Sequence, residues 1–282
     1  MRTKSLLIIA FLGISTLSYS QSMKKTYEKE VQSGLESTKK TNSDILTEMD
    51  IQHLPSLVQR YLRYVGAVGK EKVVNFRVEF EGVIRSNPED KWMKLTSAQY
   101  NFTDNPTRVF YIKARKMGIP ASGIHLYKQE TAIMHIKLAG LFTIVNAQGP
   151  EMNQGETVTV FNDMCFMAPA TLIDKRIRWE EIDSSSVKAY FTNGGIIISA
   201  TLFFNETGEL INFISNDRFE TKDGKTYKNY PWVTPVFGGY SQINGCRLPN
   251  GAKAIYRRPE GDFCYGEFLI KKVEYNCKEF KN

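Results

Sequence analysis

Most of the chain carries the alternating pattern of a β-protein. Apolar and polar side chains alternate along residues 74–80, where the apolar positions are Val74, Phe76, Val78 and Phe80. A period of two predicts a strand with one buried face and one exposed face. Similar segments recur about every 10 residues. They are separated by turn-forming pairs, among them Asn193-Gly194, Asp223-Gly224 and Asn244-Gly245. This succession predicts an antiparallel meander.

Two segments have helical spacing instead. The first begins near Pro55, ends at Gly66, and has its apolar residues at Leu54, Leu57, Val58, Tyr61, Leu62 and Val65. The second is predicted over residues 157–167, with Pro169 ending it. Asn153 and Glu156 have the spacing of a capping box, which predicts the start of this second helix.

These elements predict a mainly β protein of the α+β class with a few helices. We expect one large curved antiparallel sheet, or half-barrel, with the helices against its concave face. A sheet of this length has more inward-facing apolar side chains than two helices can cover. The surplus is therefore predicted to line an apolar cavity.

The first twenty residues have the layout of a secretory signal. A positive start at Arg2 and Lys4 precedes an apolar run over residues 5–17, and Ser18 and Ser20 are the small residues of a cleavage site. We predict cleavage after Ser20 and a secreted or periplasmic protein. Retention of residues 5–17 as a membrane anchor is the alternative.

Residues 21–48 are polar and charged, and they are predicted to form a flexible or loosely helical tether. Residues 49–282 are expected to form a single β-rich domain.

The formal net charge of +7 is modest. A dense basic cluster lies in the tether, at Lys24, Lys25, Lys39 and Lys40. Weak attraction of this arm to an anionic membrane surface is one interpretation, and a solvated charged arm is the alternative that we favour. No basic stripe interleaved with aromatic residues indicates a nucleic-acid partner.

The chain has four cysteines and no Cys-x-x-Cys motif. Cys165 falls in the second predicted helix and is expected to be a buried thiol. Cys246, Cys264 and Cys277 fall in consecutive predicted strands, where a disulfide between two of them is compatible with an oxidising compartment. Their pairing is left open, as is the oligomeric state.

Signatures of the common hydrolases are absent, as is a glycine-rich phosphate loop, and we assign no catalytic residue, metal ligand or cofactor. Two histidines, His125 and His135, are equidistant from Glu130. In a hairpin with a three-residue loop they would face each other on one side of the sheet. A surface cross-strand pair is the alternative that we favour.

Six residues are the candidates for contacting a ligand. Glu151 follows a sharp Gly149-Pro150 turn that would hold its carboxylate at a cavity mouth, although an electrostatic role at the helix start is the alternative. Arg218 lies in a predicted strand and would need a carboxylate partner if it points inward, with Glu180 or Glu151 available. The full set is Trp92, Glu151, Phe166, Trp179, Arg218 and Trp232.

Several short motifs carry a resemblance to a known family. They include Leu54-Pro55-x-x-Val58-x-Arg60-Tyr61-Leu62, Gly140-Leu141-Phe142, Gly149-Pro150-Glu151, Arg178-Trp179-Glu180 and Pro231-Trp232. Over residues 50–277 the chain resembles a large family of bacterial proteins known as a domain of unknown function. Its strand pattern is similar to the periplasmic lipoprotein-carrier half-barrel of the LolA and LolB type. That resemblance implies an antiparallel half-barrel that wraps helices and leaves an apolar cavity for acyl chains.

The sequence thus predicts a secreted or periplasmic protein that binds a lipid or another apolar small molecule in the cavity of a curved sheet. One alternative is an envelope enzyme that uses Glu151 with Arg218, or His125 with His135. Another is a cell-envelope scaffold that binds no small ligand.

Overall fold

A succession of antiparallel hairpins builds the main body of the protein. The computed structural model describes residues 23–39, 44–116 and 118–281. The predicted signal at residues 1–20, its cleavage after Ser20 and the alternative anchor at residues 5–17 lie outside these ranges. Within the described ranges, the helices are α1 (23–38), α2 (Glu48–Ile51), α3 (Ser56–Tyr64) and α4 (Pro150–Met167), followed by a short 3₁₀ helix (Pro169–Ile173).

The strands alternate inward and outward side chains as their sequences predict. They are β1 (Asn75–Ile84), β2 (Met93–Phe102), β3 (Thr107–Lys116), β4 (Ile119–Lys128), β5 (Thr131–Leu138), β6 (Phe142–Gln148), β7 (Ile177–Glu181), β8 (Ser186–Asn193), β9 (Ile196–Phe204), β10 (Leu210–Ser215), β11 (Phe219–Glu220), β12 (Lys228–Asn229), β13 (Trp232–Val233), β14 (Val236–Ile243), β15 (Cys246–Arg258) and β16 (Gly261–Tyr275).

The predicted curved antiparallel sheet is confirmed. Its order in the described chain is β6-β5-β4-β3-β2-β1-β16-β15-β13-β10-β9-β8-β7, with β14 paired to β15, while β11 and β12 form a separate ribbon. The first wing, β1 to β6, and the second wing, β7 to β10, are simple meanders. Strand β16 returns from the end of the chain to pair with β1, for example at Phe76 opposite Tyr275. The sheet therefore forms a half-barrel with helix α4 inside it.

Helix α4 begins earlier than its sequence pattern suggests. Gly149 has φ 109°, a conformation that favours glycine, and Pro150 occupies the first turn. The predicted capping box is wrong, because the Asn153 side chain accepts a 2.8 Å hydrogen bond from the backbone N–H of Ala132 instead. Glu156 lies one turn further along and is buried. Nearly every side chain from there to the helix end is buried, as expected for a helix surrounded by sheet.

The two wings of the sheet meet around α4. The Tyr127 hydroxyl on β4 lies 2.8 Å from the Thr157 hydroxyl on α4 and accepts a 2.7 Å hydrogen bond from the Asn193 side chain at the end of β8. At the adjacent turn, a Cβ atom on Gly194 would lie 2.5 Å from Cδ of Glu130. The φ of 55° at Gly194 favours glycine at this position. This close approach closes the half-barrel at the end where the β4–β5 and β8–β9 hairpins turn.

The segment predicted as a tether contains a packed helix. Along α1, Met23, Tyr27, Val31 and Leu35 recur every four residues and are buried. They pack on the face of β2 to β4 opposite α4, in a cluster with Tyr100, Phe102, Val109, Tyr111 and Ile124. The prediction missed this stripe because it is only one side chain wide and is surrounded by charged residues. Residues 23–38 are consequently part of the packed structure, in contrast to the expected tether.

The structure records free thiols at all four cysteines. Cys165 is buried, as expected, and burial raises the pKa of its thiol. Cys264 lies opposite Ile255 in the sheet, and Cys277 follows the end of β16. No helix in the described ranges is both long enough and apolar enough to cross a membrane.

Candidate ligand-binding site

A cavity of about 380 Å³ lies between the concave face of the sheet and α4. Its size is within the range of about 300–1,000 Å³ that is typical of small-molecule sites. Apolar side chains form much of its wall: Ile84, Met93, Ile112, Ile136, Leu138, Phe263, Phe268 and Ile270. The segment around β11 covers one side through Phe219 and Lys222.

The alternation along β3 gives the cavity two chemically different ends. Arg108, Phe110, Ile112 and Ala114 all line it, because residues two apart share one face of a strand. Arg108 lies at the closed end of the half-barrel, and Ala114 lies near the β3–β4 turn. His125 is opposite Phe110 in the register of β4 and β3, and the two rings make an edge contact. Arg108 and its polar partners are therefore deep, and the apolar wall extends from them towards the β3–β4 turn.

Arg108 is the centre of the buried polar end. Its Nε donates to Asp163 at 2.8 Å, one Nη donates to Glu156 at 3.2 Å, and the other donates to Gln99 at 3.1 Å. The Asp163 carboxylate also accepts hydrogen bonds from Gln99 at 2.6 Å and from Asn101 at 3.1 Å. These residues come from β2, β3 and α4, so this network ties the helix to the sheet while supplying charge to the cavity floor.

Arg218 approaches the same carboxylate from the other side. It lies between β10 and β11, whereas the sequence predicted a strand position. Its Nη2 is 3.6 Å from Oε1 of Glu156, its Nε donates to Thr159 at 3.2 Å, and its other Nη donates to the Tyr256 hydroxyl. The guanidinium stacks 4.5 Å from the centroid of Trp232. Arg218 does point inward, but its acidic partner is Glu156 rather than Glu151 or Glu180.

Burial and neighbouring charges shift the pKa values of this group in different directions. Burial opposes ionisation of Glu156, but the positive charge of Arg108 and its neighbours outweighs burial and lowers the pKa. For Asp163, burial outweighs Arg108 and raises the pKa. Burial lowers the pKa of His125 to about 4, although Glu156 opposes this shift. At neutral pH the cavity therefore holds a neutral imidazole whose Nδ1 is 3.9 Å from the Glu156 carboxylate.

Four of the six candidate residues lie on the cavity wall. These are Glu151, Phe166, Arg218 and Trp232. Trp92 lies outside it, 40% exposed, with the Arg85 guanidinium 4.5 Å from its ring centroid. Trp179 packs 6.4 Å from Phe161 against the core. The structure thus brings four candidates together and separates the other two, and contact with a ligand stays a prediction for all six.

The conditional pairing of His125 with His135 is wrong. Gln129 and Glu130 form a two-residue turn in which both φ values are positive, at 52° and 56°. This shorter loop puts His125 opposite Met134 and His135 opposite Ile124. The two imidazoles therefore lie on opposite faces of the sheet, since neighbouring residues on a strand alternate. Among the described residues, no three acidic, histidine or cysteine side chains are grouped as a metal site.

Sequence reasoning missed the residues at the centre of the site. Gln99 and Arg108 are buried polar residues at inward positions of their strands, and Asp163 is a buried carboxylate on α4. A polar side chain at an inward position was the available signal, because buried polar groups need partners. Glu156 was assigned to a helix cap, which hid its role as the shared partner of Arg108 and Arg218.

The fold and the cavity define a half-barrel protein with an internal site that combines an apolar wall and a charged floor. The chain belongs to the family of unknown function DUF6544, whose family model matches residues 44–268. This match confirms the predicted resemblance to a family known as a domain of unknown function. No curated protein matches the chain.

Two solved structures have a backbone fold similar to that of this chain. One is described as an outer membrane lipoprotein-sorting protein domain from Vibrio parahaemolyticus, with 9% identity, a TM-score of 0.41, and coverage of 71% of this chain and 85% of that one. The other is a DUF1329 family protein from Desulfovibrio piger, with 10% identity, a TM-score of 0.36, and coverage of 82% of this chain and 94% of that one. At these values the likeness supports no inference about function.

Proposed function

We propose that this protein binds an amphipathic small molecule, a lipid or an acylated compound, in the half-barrel cavity. One observation carries this proposal: the cavity has an apolar wall that leads to a buried cluster of charged side chains. An apolar chain alone would need no such floor. A polar group attached to an apolar chain fits both parts of the lining.

The apolar part of the ligand would supply most of the binding free energy. Each Å² of acyl surface that leaves water contributes roughly 25 cal/mol, before the cost of ordering the chain is subtracted. Ile112, Ile136 and Phe268 lie where such a chain would pack. Since the wall and the floor are continuous, a ligand of this type can use both at once.

Arg218 is the group best placed to recognise the polar part. The 3.6 Å separation between its Nη2 and Oε1 of Glu156 is longer than a hydrogen bond. An acceptor atom of a ligand can approach Nη2 there. Stacking on Trp232 fixes the plane of the guanidinium and presents it to the cavity.

An envelope location accompanies this proposal. Its support is the signal-like layout of residues 1–20, with a charged start, an apolar run and small residues before Gln21. Amino-terminal sequencing of the protein from the envelope fraction tests it. A mature start at Gln21 is expected, and an intact start at Met1 would favour the anchored form.

Blocking the cavity tests the proposed binding. Ala121 lines the apolar part, so Ala121→Trp should fill it, while Thr96→Trp adds the same ring on the exposed face of β2 as a control. We expect an apolar fluorescent probe to bind the wild type and Thr96→Trp, and to bind Ala121→Trp at least about tenfold more weakly. Native mass spectrometry of protein from its own envelope should show a co-purifying molecule that Ala121→Trp lacks. Equal probe binding by both variants would contradict the proposal.

A second candidate function is an enzyme that acts on the bound molecule. The observation that favours it is the neutral His125 imidazole, which lines the cavity beside the Glu156 carboxylate. A neutral imidazole next to a carboxylate can accept a proton from a hydroxyl group or water. Mass spectrometry of an acyl ester recovered after incubation separates the two functions, because a binder returns it intact and an enzyme returns it cleaved.

A further inference from the structure

We infer that the open edge of the first wing is a docking surface for an anionic lipid bilayer. This open edge consists of described residues at the β1–β2 turn (85–92), at the start of β4 (118–119) and at the β5–β6 turn (139–144), which the meander places side by side. The register shows this placement, since Ala114 is opposite Ala121 and Ala121 is opposite Leu138. The inference is independent of any ligand in the cavity, because it concerns the outer surface.

Large apolar side chains are exposed at each of these turns. They are Trp92 at 40% exposure, Ile119 at 42%, Phe142 at 64% and Ile144 at 49%. Isolated exposed apolar residues are common, but a group of this size at one edge marks an interaction surface. Tryptophan and phenylalanine at loop tips are typical of proteins that insert into the interface of a bilayer.

Charge at the same edge selects the partner. Basic residues of the described chain surround the turns: Arg85, Lys91, Lys94, Lys113, Arg115, Lys137 and Lys222. The acidic residues there are Glu81, Glu89, Asp90 and Asp223, so the seven basic residues still outnumber them. Lys222 belongs to the segment before β12, and its Nζ donates to Asn87 at 2.6 Å, which brings this segment to the β1–β2 turn. Apolar tips within a basic rim are complementary to anionic headgroups above acyl chains.

The open edge is also where the cavity reaches the surface. Ile144, Leu138 and Arg85 belong both to the cavity lining and to this edge. A bilayer that contacts the edge would therefore face the cavity directly. This continuity favours a bilayer over a second copy of the chain, because a copy would cover the entrance with protein.

Vesicle binding by the full chain tests the inference. The probes are vesicles of phosphatidylcholine alone and of phosphatidylcholine mixed with phosphatidylglycerol, and the variant is Phe142→Ser with Ile144→Ser. The matched control is Ile182→Ser with Ile197→Ser, two comparably exposed isoleucines at 53% and 65% on the other wing. We expect stronger binding to the mixed vesicles, weakening with salt, and a loss of about ten- to a hundredfold in the Phe142/Ile144 variant alone. An equal loss in both variants would overturn the inference.

A second measurement distinguishes bilayer contact at the open edge from vesicle binding through the amino-terminal segment. Phe142→Trp and Ile197→Trp each add one ring, and the added fluorescence is measured with lipids that carry bromine on their acyl chains. Quenching of the ring at position 142 and none at position 197 is expected. No quenching at 142, quenching at both positions, or a dimer in light scattering that Phe142→Ser with Ile144→Ser abolishes would each contradict bilayer docking.

Discussion

At the scale of single residues, the site depends on buried charges that satisfy one another. Two arginines, Arg108 and Arg218, share the Glu156 carboxylate, and Asp163 completes the group. Buried ions of this kind are stable only when each has a partner, because desolvation costs several kcal/mol per ion. His125 lies beside them as a neutral group, and its burial makes the stability of the protein depend on pH.

The neutral His125 predicts a pH-dependent stability. Burial lowers its pKa to about 4 in the folded protein, whereas an unfolded histidine titrates near about 6.5. Between these values the unfolded chain binds more protons, so the free energy of unfolding falls as pH falls through this window. From about pH 7 to about pH 4.5 the histidine should account for a loss of about 2 to 3 kcal/mol.

Urea unfolding of the wild type and of His125→Asn at these two pH values isolates the effect. Acidic groups that do not contact His125 titrate in both proteins and cancel in the comparison. The wild type should lose about 2 to 3 kcal/mol more than the variant on acidification. Parallel losses in the two proteins would mean that His125 is not held neutral by burial.

At the scale of elements, the helices differ in how closely the sequence predicted them. The stripe of α3 is wide and ends in Gly66, so its position is confirmed closely. Helix α4 has no single apolar face, because sheet surrounds it, and its start at Pro150 depends on the turn at Gly149. Helix α1 has one narrow stripe of apolar residues. Only the tertiary structure shows that this stripe packs against the sheet.

Helix α1 should detach when its stripe carries a charge. Val31 is fully buried, whereas Gln32 beside it is exposed. Val31→Asp would bury an unpaired carboxylate and should release the helix. We expect limited proteolysis to cut within residues 23–38 of Val31→Asp far faster than in Gln32→Asp or the wild type. Equal cutting of all three would show that the packing of α1 contributes little.

At the scale of the whole molecule, contacts between the two wings decide where the half-barrel is open. Tyr127 connects β4 to Thr157 on α4 and to Asn193 on β8. These three residues are far apart in sequence, and their contact closes one end of the barrel. The opposite end keeps the cavity and its apolar rim.

Removing the Tyr127 hydroxyl should weaken this closure. Tyr127→Phe keeps the ring but leaves the buried amide of Asn193 with one partner fewer, at a cost of about 1 to 3 kcal/mol. The half-buried Tyr64, which donates to the half-buried Glu209, provides the control Tyr64→Phe, where water can replace the lost partner and the change should be about 1 kcal/mol or less. Urea unfolding measures both changes. A similar effect of the two variants would argue against a closing role for Tyr127.

The sequence by itself determined the strands, the helix α3 and the class of the fold. These features follow from local periodicity and turn chemistry, as in residues 74–80 and at Asn193-Gly194, because a strand or a turn responds mainly to its near neighbours. Phe166 and Trp232 lie on the cavity wall, since both are apolar residues of elements that face inward, while their contact with a ligand stays a prediction.

Only the tertiary structure decided the site itself. The loop length at Gln129-Glu130 reversed the face of one histidine, because shifting a register by one residue exchanges the two faces of a strand. The grouping of Arg108, Glu156 and Arg218 joins residues from a strand, a helix and a loop. A buried charge is stable only beside its partner, and which partner lies beside it depends on how distant segments pack, a property that no local pattern contains.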